Sequence, residues 1–204
     1  MLKQPLGRFC YSEVMKQVYI IDNGSFYTEQ LTTLLPGHNI NVYNFDEINP
    51  LDITPNSLII LSGGHKLRVQ WHDREYSTEI QLIKKYTGPI IGVCLGAQLI
   101  AHVYGEHLHV LEEYRKGTVT IHAMNTSIPL FKGIKELRVY ENHHLSIQQL
   151  HLPLVGLAQS DDGIEVFRHQ IKPVYGIQFH PEVLTGNDGL QLFKAILEDV
   201  EAER

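Results

Sequence analysis

Apolar residues in the first half of the chain fall into short blocks separated by amphipathic stretches. Residues 18–22 (VYIID), 39–44 and 57–61 (SLIIL) are short apolar or alternating runs bounded by turn residues, which predicts strands. A helical pattern over 28–35 stops at Pro36-Gly37, and residues 46–55 form a polar, proline-bounded connection. A second helix is predicted over 75–86. Residues 89–93 (PIIGV) then form a buried strand, and Leu95, Leu99, Ile100 and Val103 recur at helical spacing up to a stop at Gly105. Strand and helix alternate throughout, which predicts a doubly wound, mostly parallel α/β sheet with helices on both faces. The second half reads differently. Strands over 110–122, 137–140, 154–159, 164–169 and 173–179 predict a mostly β return to the sheet, closed by a helix over 189–200 with Leu190, Phe193, Ile196 and Leu197 on one face.

The candidate chemistry sits at the ends of these strands. Cys94 stands between a strand and a helix, with Gly92 two residues before it and Gly96 two after. Gly-x-Cys-x-Gly is the cysteine form of the nucleophile elbow, a turn too tight for side chains at the flanking positions. A cysteine there lies at a helix N-terminus, where the dipole and free N–H groups favour the thiolate. A lone cysteine in an apolar run is more often a small buried hydrophobe, and a second motif decides between the two. In YGIQFHPEV (175–183) an alternating strand ends at His180, Pro181 keeps that residue extended, and Glu182 falls on the same side of the chain. A nucleophile needs a base, and the base needs a group to fix its tautomer. Cys94, His180 and Glu182 supply these in order. Gly64 ends the third strand, where its N–H and that of Leu95 would form an oxyanion hole. Gln98, one helical turn after Cys94, is placed to hold a polar substrate.

Composition narrows the class. The 204 residues suffice for one substantial core, with 43% hydrophobic and 20% charged residues. A formal net charge of −6 argues against nucleic acid as a ligand. No apolar run is long enough for a membrane span, and residues 1–17, broken by Pro5 and Gly7, form an extension without the apolar core of a signal peptide. Residues 18–204 are then a single domain. The two cysteines, Cys10 and Cys94, make no disulfide framework, and a working thiol fits a reducing cytoplasm. Twelve histidines invite a metal reading, but His107 with His109 and His143 with His144 lack a further ligand at suitable spacing, so no metal is expected.

Taken together, these residues resemble the class I glutamine amidotransferase family, whose members carry a Cys–His–Glu triad. The resemblance covers roughly residues 18 to 200. It rests on GVCLGAQ (92–98), YGIQFHPEV (175–183) and LSGG (61–64), and within the family IDNGSFYT (21–28) looks most like the opening of the GMP synthetase glutaminase. It implies a flavodoxin-like fold and an enzyme that hydrolyses L-glutamine through a cysteine thioester, needs no cofactor, and passes ammonia to an ATP-dependent synthetase subunit on another chain. It also implies that VYENHH (139–144) lies where such enzymes carry a substrate-touching loop, making Asn142, His143 and His144 substrate-binding candidates. Three features depart from the GMP synthetase type: His65 replaces the proline after Gly-Gly, Asn142-His143-His144-Leu145 replaces Ser-His-Gly-Asp, and Leu184-Thr185 follows His-Pro-Glu. These departures leave two other readings open, a γ-glutamyl amide hydrolase without a synthetase partner and a silent binding relative.

Overall fold

The computed structural model describes residues 16–65 and 67–202; Cys10 and nearly all of the 1–17 extension lie outside them. Nine strands form one sheet in the order β2-β1-β3-β4-β9-β8-β7-β5-β6. The strands β1 (Lys16–Asp22), β2 (His38–Asn44), β3 (Leu58–Leu61), β4 (Ile90–Val93) and β9 (Val174–Ile177) pair with one another in parallel. Antiparallel pairings then add β8 (Gly163–His169), β7 (Leu154–Ser160), β5 (Leu108–Ala123) and β6 (Glu136–Ile147). The parallel half and the β-rich return are those the sequence predicts.

Period-two alternation divides the core between the sheet's two faces. Val18 and Ile20 of β1 join a cluster with Leu31 of α1 (Thr28–Thr33) and Phe193 of α4 (Gly189–Ala202). Tyr19 and Ile21 point the other way, into a cluster with Ile83 of α2 (Ser77–Lys85) and Leu99 of α3 (Leu95–Val103). Helices thus cover both faces, as expected of a doubly wound sheet. No helix of the described residues is long and apolar enough to cross a membrane.

Two boundaries differ from expectation in ways that matter. Helix α1 ends at Thr33 rather than 35, because Leu34 N–H turns back to the Leu31 carbonyl at 3.2 Å and tightens the last turn before Pro36-Gly37. Strand β6 runs on to Ile147, so Asn142, His143 and His144 lie on a strand and not in a loop. Pairing with the sixteen-residue β5 extends it: Arg115 stands opposite His143 and Val110 opposite Leu145. The extra residues 111–114 of β5 bulge out opposite His144.

The side chain of Phe193 is fully buried while that of Ile171 is 84% exposed. Phe193→Ala should therefore destabilise the fold by about 3–5 kcal/mol, whereas Ile171→Ala should stay within about 0.5 kcal/mol of wild type. Urea unfolding measures both; equal costs would contradict the difference in burial.

Candidate active site

The register between β4 and β9 creates the site. Val93 pairs with Ile177, so the chain leaves both strands at the same level, and Cys94 N–H donates to the Ile177 carbonyl at 2.8 Å. Cys94 is the N-cap of α3 and holds φ 50° and ψ −104°, a region that ordinary side chains avoid. Close packing imposes the turn. A Cβ on Gly92 would sit 2.5 Å from the Gly96 carbonyl carbon, and one on Gly96 would collide with the Leu61 carbonyl. The glycines of the elbow thus let α3 lie directly against the ends of β3 and β4.

His180 follows β9 and is fixed at three points. Its N–H donates to the Tyr140 carbonyl at 2.8 Å, its Nδ1 lies 2.8 Å from Glu182 Oε1, and its ring meets the Tyr27 ring edge-on at 5.1 Å between centroids. Asn187 Nδ2 donates to the His180 and Val183 carbonyls at 2.7 and 2.6 Å, tying down the loop that carries Glu182. Burial works against a charge on His180, but the adjacent Cys94 sulfur and the Glu182 carboxylate outweigh it and push the imidazole up to about 10. The arrangement is a buried imidazolium held between a thiolate and a carboxylate. Such a pair has a nucleophile already ionised and a proton ready for a leaving group.

The Gly63-Gly64 turn leaves β3 beside this pair. A Cβ on Gly63 would lie 2.9 Å from His180 Cε1 and 3.5 Å from Cys94 Cβ. Gly64 and Leu95 line, with Cys94, a pocket of about 180 Å³. His65, which stands where a proline was expected to stiffen the turn, stacks on Phe26 at 4.2 Å. Ring stacking braces the turn in place of a fixed φ.

Gln98, Asn142, His143 and His144 all line the same pocket. Gln98 is buried, and its Nε2 already donates to the Leu145 carbonyl at 3.0 Å and to Gln178 Oε1 at 3.2 Å, so its amide hydrogens brace the wall. Asn142 Oδ1 accepts from the Tyr114 hydroxyl at 2.9 Å. His144 Nε2 lies 2.8 Å from the Leu111 carbonyl, and His143 Nε2 lies 3.2 Å from Glu141 Oε2. Burial lowers the His143 pKa and raises Glu141 to about 7, so the pair is poorly hydrated and weakly charged.

Several residues of the site were not singled out in the sequence. Gln178 is buried with Nε2 3.7 Å from Cys94 Sγ; a glutamine inside an otherwise apolar strand end was its signal. Tyr114 reaches the pocket only because of the β5 bulge, which no local pattern announces. Asn23, Ser62 and Glu79 form a buried network behind the Gly63-Gly64 turn, assembled from three separate elements.

The fold and this constellation define a cysteine-dependent amide-hydrolase site on a flavodoxin-like scaffold. The family model for glutamine amidotransferase class-I matches residues 19–200, and the chain belongs to that family. It is 30% identical to the glutamine-hydrolysing subunit of the GMP synthase of Pyrococcus furiosus over 87% of this chain and 95% of that protein. It is 32% identical to the glutamine-hydrolysing GMP synthase of Christiangramia forsetii over 90% of this chain, but spans only 36% of that longer protein. Among solved structures, a Thermoplasma acidophilum protein described as a GMP synthase subunit superposes with a TM-score of 0.82 at 26% identity, covering 93% of this chain and 96% of that one.

If the His180 cation holds Cys94 as a thiolate, His180→Ala should slow alkylation of Cys94 by iodoacetamide at pH 7 by at least about tenfold. Mass spectrometry of the alkylated protein follows the rate; equal rates in the two proteins would exclude the ion pair.

Proposed function

We propose that the protein is the glutaminase component of a GMP-synthase-type enzyme, hydrolysing L-glutamine and delivering ammonia to an ATP-dependent synthetase subunit on a separate chain. The observation that carries this reading is the Cys94–His180–Glu182 arrangement opening onto a small polar pocket. The relatives' names support the synthetase partner.

In this reading the Cys94 thiolate attacks the side-chain carboxamide carbon of glutamine. The carbonyl becomes a tetrahedral oxyanion, held by the Gly64 and Leu95 N–H groups. His180 gives its proton to the departing nitrogen, and ammonia leaves as the carbonyl re-forms as a thioester. The imidazole, now neutral, takes a proton from water, which attacks the thioester. Collapse of the second tetrahedral intermediate releases glutamate and returns the sulfur to thiolate beside imidazolium. Glu182 keeps Nδ1 engaged, so that Nε2 does the proton transfer. The wall of Gln98, Asn142, His143 and His144 faces the amino-acid end of the substrate. No step calls for a metal or organic cofactor.

Incubation with the glutamine analogue diazo-oxo-norleucine, followed by peptide mass spectrometry, should place one adduct on Cys94. Cys94→Ser should lower glutamate release by at least about a thousandfold, since a serine hydroxyl is not ionised here. Glu182→Gln should retain more activity than His180→Ala, because the glutamate only orients the base. Adding a GMP-synthase-type synthetase subunit that lacks its own glutaminase should yield glutamine-dependent GMP formation. Labelling only by other γ-glutamyl compounds would point instead to a γ-glutamyl amide hydrolase, and no labelling at all would refute enzymatic action at Cys94.

A further inference from the structure

We propose that Glu79 is protonated in the working protein and acts through Asn23 as a positioning residue, clamping the Ser62-Gly63-Gly64 turn against the Cys94 site. The inference rests on the reading of that turn as the oxyanion support. Glu79 belongs to α2 and has no exposure to solvent. Asn23 Nδ2 donates to Glu79 Oε1 at 3.1 Å and to the Ser62 carbonyl at 3.2 Å. Asn23 N–H donates to Ser62 Oγ at 2.9 Å, and the Asn23 carbonyl oxygen packs so closely on Gly64 that a side chain there would collide with it. The Ser62 carbonyl also accepts the Gly96 N–H at 3.1 Å, which ties the same peptide to the first turn of α3. Asn23 and Gly96 thus grip one peptide from opposite sides, between β1 and the cysteine helix.

Two atoms in this network are buried without a partner, Asn23 Oδ1 and Glu79 Oε2. Both are acceptors when Glu79 is ionised, and both are then unsatisfied. A single proton on Glu79 Oε2, donated to Asn23 Oδ1, satisfies the two together and closes an acid–amide pair whose other bond is already formed. Burial pushes Glu79 up to about 8, opposed only by the Asn23 bond, with no cation contributing. The other acids and phenols nearby do not change this. Asp22, after β1, has its Oδ1 engaged by the Gly24 and Ser25 N–H groups and the Thr28 hydroxyl. Tyr76, at the N-cap of α2, is raised by its own burial and then by the Glu79 and Glu75 charges.

Ionising Glu79 would bury an unpaired charge and leave Asn23 Oδ1 without a donor, so the clamp on Ser62 loosens. The sign of the stability effect follows. The folded acid holds its proton above 4.5, where the unfolded chain releases it, so wild-type stability falls as pH rises from about 4.5 to about 8. Glu79→Gln keeps the shape and supplies the missing N–H at every pH. Its melting temperature should therefore gain on wild type steadily across that window, a readout that needs no activity. Glutamate release by Glu79→Gln should stay within about threefold of wild type at pH 7 and lose the decline that wild type shows near pH 8. Glu79→Ala should lower kcat at least about tenfold with KM within about twofold, because the pocket wall is untouched. If wild type and Glu79→Gln melt with the same pH dependence, Glu79 carries no proton and the proposal is overturned. It is equally overturned if the alkaline decline in kcat persists in Glu79→Gln, even when Glu79→Ala fails to fold. Failure of diazo-oxo-norleucine to label wild-type Cys94 would remove the glutaminase reading alone, leaving the melting data to judge the proton.

Discussion

The approach of α3 to the ends of β3 and β4 is the constraint on which the site depends. Gly92, Gly96 and the Leu61 carbonyl meet at distances that leave no room for a single additional carbon. Only in that geometry does the chain turn at Cys94 with a positive φ. A backbone held in such a region costs of order 1–3 kcal/mol and persists only where the surroundings over-determine it. Here they do: β3 and β4 are buried throughout, Cys94 N–H is committed to Ile177, and Gly96 N–H to Ser62. The sheet core offsets the strain, and the strain aims the sulfur at His180.

Charge around this junction is handled in two opposite ways. On one side, His180 is buried as a cation because Cys94 and Glu182 flank it, so the ion is paired rather than hydrated. On the other, two acids sit behind the Gly63-Gly64 turn. Asp22 is surrounded by hydrogen-bond donors, whereas Glu79 has a single amide and no cation. Equal acids in unequal surroundings adopt unequal protonation, and the turn between them is held by neutral bonds. A neutral clamp suits an oxyanion support, since a negative charge at that distance would oppose the developing oxyanion.

How much of this was legible in the sequence follows from how local each feature is. Strand–helix alternation, the Gly-x-Cys-x-Gly elbow and His-Pro-Glu are each encoded within a few consecutive residues, and the parallel half and the Cys94–His180–Glu182 grouping were read from them. The course of β6 was not. VYENHH mixes buried and half-buried polar residues, so its pattern reads as loop until β5 is known to pair along its whole length. Tyr114 depends on a bulge, which is a property of two strands and not of one. The Asn23–Ser62–Glu79 network joins residues 39 and 56 positions apart. Separately these read as a turn asparagine, a strand-end serine and an ordinary helix glutamate.

The two halves of the sheet also divide the labour of the site. Nucleophile, oxyanion turn and base come from the ends of the parallel strands β3, β4 and β9, where helix packing and shared register leave little freedom. The pocket wall comes from the antiparallel β5–β6 pair, where a bulge and half-buried polar side chains set the surface. The departures from the GMP synthetase pattern at residues 142–145 fall on that second half, and they leave the Cys94–His180–Glu182 geometry unperturbed. The exception is His65, at the oxyanion turn, and its loss of proline rigidity is compensated locally by stacking on Phe26. A wall built on a separate antiparallel ribbon can change its polar groups without moving the elbow, because the two share only the junction at β9, β8 and β7. Substrate fit and bond-breaking chemistry are therefore separable in this fold, and sequence change concentrates where the sheet tolerates it.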